Sequence, residues 1–262
     1  MSPIVLAIIG TTFTFLATAL GAAMVFFFRK DLPARVHRIF LGFAAGVMIA
    51  ASVWSLLIPA MELSAEQGLY PSWLAAAGGF VLGGLFLMAL DKVLPHLHAN
   101  SQKTEGLASS FKRTTMLVFA VTLHNIPEGL AVGLALGLAG SSEAISLSGA
   151  VALSLGMALQ NFPEGAAISL PLKKEGLSNN RSFLLGALSG IVEPIAGVTG
   201  VLIAGNISTV MPWFLAFSAG AMIYVVVEEL IPEANLSEHS HTGTVSVMLG
   251  FLIMMILDVA LG

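Results

Sequence analysis

The sequence predicts an all-α polytopic membrane protein in which eight transmembrane helices form one domain over residues 1–262. Helices one to three and six to eight are expected to make an inverted repeat around helices four and five. Three observations predict this. The 262 residues are 56% hydrophobic and only 10% charged, with a mean hydropathy of +0.92, far outside the range of a soluble domain. Apolar runs recur eight times, each about the twenty residues a helix needs to span a bilayer. Finally, the basic residues fall in alternate connections, as a spanning topology requires.

The runs lie near residues 4–28, 39–59, 73–94, 114–138, 146–172, 182–204, 213–232 and 243–261. The first contains Ala17-Thr18-Ala19, which mimics a signal-peptidase site. No Lys or Arg precedes it and the apolar run continues past it, so a retained spanning helix is expected. All 11 Lys and Arg fall between helices one and two, three and four, or five and six. Those connections are therefore assigned to the cytoplasm, and both termini to the outside. The opposite connections carry only Glu62, Glu66 and Glu143 as charges.

An internal repeat fits this topology. Phe43-Ala44-Ala45-Gly46-Val47-Met48-Ile49 matches Phe217-Ser218-Ala219-Gly220-Ala221-Met222-Ile223, and Leu57-Ile58-Pro59 matches Leu230-Ile231-Pro232. Helix two runs outward and helix seven inward, so the copies are inverted, a symmetry many secondary transporters share. Glycines four apart (Gly129, Gly133 and Gly137; Gly42 and Gly46; Gly79 and Gly83) offer faces for close helix packing and would permit a homodimer.

Composition also excludes chemistry. The chain has no cysteine, which removes disulfides, thiolate metal sites and thiol catalysis together. A formal charge of -4 with no basic cluster gives no footing for a nucleic-acid partner, so the bilayer and small ions remain.

Two nearly identical stretches carry the chemistry: His124-Asn125-Ile126-Pro127-Glu128-Gly129 and, on the next helix, Gln160-Asn161-Phe162-Pro163-Glu164-Gly165. His124 and Glu128 are four apart, so they project from one helix face, and Gln160 and Glu164 repeat that geometry. Counted from the cytoplasmic ends, these four sit about 12 to 21 Å deep in a core of about 30 Å, and Glu193 on helix six reaches the same level. No Lys or Arg lies at that depth in any span to balance three carboxylates there. They must be protonated, solvated in a cavity, or bound to a cation from outside the chain. Imidazole, carboxylates and the amide oxygens of Asn125, Gln160 and Asn161 make a mixed nitrogen and oxygen set that suits zinc, iron, manganese, cobalt or cadmium. Each Glu also stands beside a Pro (Pro127, Pro163, Pro194), which removes a helix hydrogen bond next to the ligands.

On these two motifs and Val192-Glu193-Pro194, the sequence resembles the ZIP (Zrt/Irt-like protein) family of divalent metal transporters, and most closely its bacterial GufA-like branch. The resemblance implies a ZIP-type transporter domain in the bacterial inner membrane. It also implies a binuclear metal site on helices four, five and six, zinc foremost as transported substrate with iron, manganese, cobalt and cadmium as alternatives, and inward movement by an elevator-like bundle. No organic cofactor is implied. Members often have Asp where this chain has Asn161, a loss of one negative charge.

Other residues are assigned lesser roles. Met48 is a candidate thioether ligand at the site's depth, Glu228 and Glu229 a cytoplasmic exit, and Asp258 an outer entrance. His96 and His98, and His239 and His241, form two His-x-His pairs in cytoplasmic connections and are left without a role. An exporter would use the same ligands. An intramembrane metal-dependent hydrolase would need two or three His around an open position, whereas the spans hold one such His and no His-Glu-x-x-His pattern, so no enzyme is expected.

Overall fold

The computed structural model describes residues 1–28, 33–93, 113–139, 145–206, 208–235 and 241–261. His96, His98, His239 and Glu143 lie outside these, while His241 is exposed at the start of the last helix. Eight helical rods account for nearly all the described residues. They are α1 (Pro3–Ala22, prolonged by a 3-10 turn Ala23–Phe26), α2 (Ala34–Gln67) and α3 (Ser72–Val93), then α4 (Arg113–Leu138), α5 (Leu147–Lys174), α6 (Asn179–Ser189 and Val192–Asn206), α7 (Met211–Ala234) and α8 (Thr242–Leu261). Seven are long and apolar enough to span a membrane. The exception is α5, which has 28 residues but carries Gln160, Asn161, Glu164 and two lysines. The helix with the second motif is thus the least lipid-like, because its polar residues face protein.

The ends follow local chemistry. Ser2, Ser146 and Ser178 cap α1, α5 and α6, their hydroxyls accepting from Val5, Gly149 and Arg181 N–H. Lys173 of α5 donates to the carbonyls of Val25 and Phe28 (3.1 and 2.9 Å), capping the far end of α1. Helix α2 outruns the expected 39–59. Past Pro59 it continues as an amphipathic turn with Leu63 and Ser64 buried, and it stops at Gly68, whose φ of 63° only glycine adopts without strain. Hydropathy sees where lipid is, and this last turn of helix lies beyond the apolar run.

Two interruptions matter. Both α2 and α7 contain a π turn, Ser52–Leu57 and Val226–Leu230, directly before the repeated Ile-Pro. In each, the isoleucine N–H reaches back five residues, Ile58 to Val53 and Ile231 to Val226. The proline that follows cannot donate, and the wide turn absorbs the lost bond. Helix α6 breaks at Gly190 and Ile191, just before Glu193-Pro194, whereas α4 and α5 run on through Pro127 and Pro163.

The most extensive pairings are α1 with α5, α4 with α6, α2 with α8 and α3 with α7. Exchanging one with six, two with seven, three with eight and four with five turns this set of pairs into itself, as the inverted repeat expects. The glycine faces singled out in the sequence are occupied within the chain. Gly129 and Gly133 meet the backbone of Glu193 and Gly197, Gly42 and Gly46 meet α8, and Gly79 and Gly83 meet α7. Helices α1, α4, α5 and α6 form one packed group, and α2, α3, α7 and α8 another.

Candidate metal-ion site

Between the two groups is a cavity with about 50 Å3 open to water. That holds about three to five water molecules, or an ion with part of its hydration shell. His124, Glu128, Gln160, Glu164 and Met48 line it, together with Glu229 and Glu233 of α7. No Lys or Arg is among its lining residues. The four-residue spacing on α4 and α5 thus turns imidazole, two carboxylates and an amide onto one space, as expected.

The second tier is a hydrogen-bond relay behind the cavity. Gln160 Nε2 donates to Glu128 Oε2 (2.6 Å) and to Asn161 Oδ1. Asn161 Nδ2 in turn serves Glu193 Oε1 and Oε2 (2.9 Å each) and the Thr14 carbonyl (3.2 Å). Thr18 Oγ1 adds a bond to Glu193 Oε1 (3.3 Å). The relay ties Glu128 of α4 to Glu193 of α6 through α5. It also departs from expectation, because Glu193 is fully buried and does not line the cavity. Its carboxylate lies among amide and hydroxyl donors from α5 and α1.

Asn125 has a local task. At the α6 break the Glu193 N–H bonds the Gly190 carbonyl (3.0 Å) instead of completing a regular turn to Ser189. Asn125 Nδ2 donates to the Ser189 carbonyl in its place (3.1 Å), while Asn125 Oδ1 is buried with no hydrogen-bond partner. Glu164 Oε2 is likewise buried and unpartnered at the cavity. Among the described residues no three of His, Asp and Glu converge tightly enough to hold one ion by themselves. Amides intervene: the donor set that the helices bring together is carboxylate, imidazole and carboxamide.

Of the two exit candidates on α7, Glu229 lines the cavity with its Oε2 2.9 Å from His124 Nδ1, whereas Glu228 is exposed and does not line it. The π turn sets this rotation by widening the face that α7 presents, so that Val225, Glu229 and Leu230 all reach the cavity. Asp258 lines a second cavity of about 240 Å3 at the other end of the molecule, with Glu62, Ser55 and Ser146. Ser55 Oγ donates to Asp258 Oδ1 (2.5 Å), and Asp258 Oδ2 has no hydrogen-bond partner.

Sequence reasoning missed Thr14, Thr18 and Glu233. The threonines had a signal, since Thr11, Thr14 and Thr18 recur at helical spacing in an otherwise apolar run and all are fully buried. Glu233 lies four residues beyond Glu229, one turn further along the same face.

Comparison with known proteins agrees with the site's chemistry. The family model described as ZIP Zinc transporter matches residues 95–258. The chain belongs to the ZIP family. Within it, the zinc transporter GufA of Myxococcus xanthus is 39% identical over 94% of this chain and 95% of its own length. The zinc transporter ZIP11 of Bos taurus is 36% identical over 100% of this chain and 98% of its own. The zinc transporter ZIPB of Bordetella bronchiseptica is 37% identical over 98% and 81%. This ZIP protein is of the GufA-like branch, and both motif helices lie inside the matched segment.

Proposed function

We propose that this chain carries divalent transition-metal ions, zinc foremost, across the membrane into the cytoplasm. The observation that carries the reading is the cavity itself: His124, Glu128, Glu164, Glu229 and Glu233 line one intramembrane space with no Lys or Arg among its described lining residues. A cation supplied from outside the chain balances such a set. His124, Glu128, Gln160 and Glu164 would hold it, with the Met48 thioether beside them. Glu229, whose Oε2 lies 2.9 Å from His124 Nδ1, would accept from that nitrogen when the ion is held and leave Nε2 for it. Two ions could sit side by side with Glu128 and Glu164 as bridges. Asn125 Oδ1, Asn161 and Glu193 would then complete the second position from behind.

The path is proposed to begin at Asp258, in the larger cavity, and to leave by Glu229 and Glu233. The family supports uptake as the direction, and the basic connections are placed in the cytoplasm by the charge rule. The two four-helix groups would move against each other as an elevator, with α4, α5 and α6 carrying the ion.

The test is zinc accumulation in cells expressing the chain, beside cells expressing Glu128→Ala or His124→Ala at equal membrane levels. Raised accumulation that both variants lose is expected. Lowered accumulation in the wild type would mean export, and accumulation untouched by either variant would overturn the site.

A further inference from the structure

Glycine contacts differ inside and between the two four-helix groups. Inside each group they set backbone against backbone. Gly21 and Gly165 each press on a backbone carbonyl across the α1–α5 contact, and Gly46 and Gly250 do so across α2–α8. Backbone cannot turn aside, so these contacts bind each group into a rigid unit. Among the described glycines that would crowd another helix if given a Cβ, Gly156 alone faces the other group. What it meets there is a side-chain end: Sδ and Cε of Met254 on α8 occupy the space in front of it. Met254 itself has no exposed surface.

The notch moves with the ligands, because Gly156 stands one turn before Gln160 on α5. Met254 stands one turn before Asp258 on α8 and stays with the other group. The two helices run in opposite directions. Sliding α5 by one turn toward the Asp258 end, about 5.4 Å, would bring Gly156 level with Asp258 and Gln160 level with Met254. Gln160 has a side chain where Gly156 has none, so Met254 would lose its seat. With the seat filled, Glu128 and Glu164 share their cavity with Glu229 and Glu233, the acids proposed for the way out.

Resting on the elevator reading above, we propose that Met254 seated in the Gly156 notch is a catch that holds the ion-carrying helices at the cytoplasmic end of their stroke. The groups slide past each other only when Met254 withdraws. Its unbranched side chain does so by changing rotamer, with no shift of backbone. The catch therefore sets where the carrier waits between ions.

The chain has no cysteine, so Asn180→Cys on α6 and Thr244→Cys on α8, both exposed, take one spin label each. The distance between the labels is measured by pulsed electron spin resonance on the full chain in lipid nanodiscs. Gly156→Ala fills the notch against a side-chain end and is expected to raise the proportion of a second, displaced distance about fivefold. Met254→Ala is expected to do the same, and it carries the test alone if the first variant does not fold. Adding Gly156→Ala to Met254→Ala should then change little, since nothing is left for the new methyl to crowd. Gly10→Ala crowds the Leu136 side-chain end inside one group, and as the control it keeps the wild-type proportions. Two distances whose proportions neither variant shifts, or a shift that Gly10→Ala reproduces, would overturn the catch and leave the elevator standing. One unvarying distance in the wild type and every variant would overturn the elevator, and the catch with it.

Discussion

In α2 the bond from Ile58 back to Val53 precedes Pro59, and in α7 the bond from Ile231 back to Val226 precedes Pro232. The backbone device is the same, placed at opposite ends of the molecule, yet the residues mounted on it differ. The α2 turn presents Ser55 to Asp258 beside a roomy cavity of about 240 Å3. The α7 turn presents Glu229 to His124 beside about 50 Å3 lined by three further carboxylates. The repeat therefore supplies the irregular backbone at both ends, and the residues that diverged supply the chemistry. One end sets Asp258 and Glu62 on a roomy cavity, the other four carboxylates and an imidazole on a small one, which is the contrast the proposed transport would use.

That contrast is tested first where the inner site has most to lose. Glu128→Ala removes a proposed ligand and the acceptor of the Gln160 amide together, so zinc entry is expected to fall about a hundredfold or more. A residual rate within about tenfold of wild type would mean the ion is held elsewhere. Glu229→Gln keeps a carbonyl for His124 Nδ1 but removes the charge, and about a tenfold fall is expected. Glu228→Gln, one residue away and exposed, should change entry by less than about twofold, since its side chain does not line the cavity. At the outer end Asp258→Asn is expected to lower entry only about threefold. The deficit should be largest at low zinc and low salt and vanish at saturating zinc, as loss of an attracting charge requires. A deficit that persists at saturation would make the outer cavity a holding site and erase the contrast.

Much of this was legible in the sequence for a physical reason: lipid imposes length and apolarity on each span, and a four-residue spacing imposes a shared face. His124 with Glu128 and Gln160 with Glu164 reached one cavity on that rule alone. Where regular helix geometry fails, the reading failed too. The repeated Ile-Pro marked matching segments but not the π turns before them, so Glu228 and Glu229 could not be told apart. Depth placed Glu193 level with the other acids, but depth carries no azimuth, and its partners on α1 are threonines that composition counts as part of an apolar run. The end of α2 at Gln67 was hidden for the opposite reason: its last turn is helical without being greasy.

The smallest effect concerns those threonines. Thr18→Val is nearly isosteric and removes one donor to Glu193, while Asn161 still serves both carboxylate oxygens. Polar contacts between membrane helices are worth about 0.6 kcal/mol on average. For a chain of this size that corresponds to a fall of about 1 to 2 °C in the midpoint of thermal unfolding in detergent. Zinc entry should stay within about twofold of wild type, because the relay from Glu128 through Gln160 to Asn161 is untouched. If Thr18→Val instead cost entry tenfold at unchanged midpoint, Thr18 would be aiming Glu193 at the ion. The carboxylate behind the cavity would then belong to the same tier as those that line it.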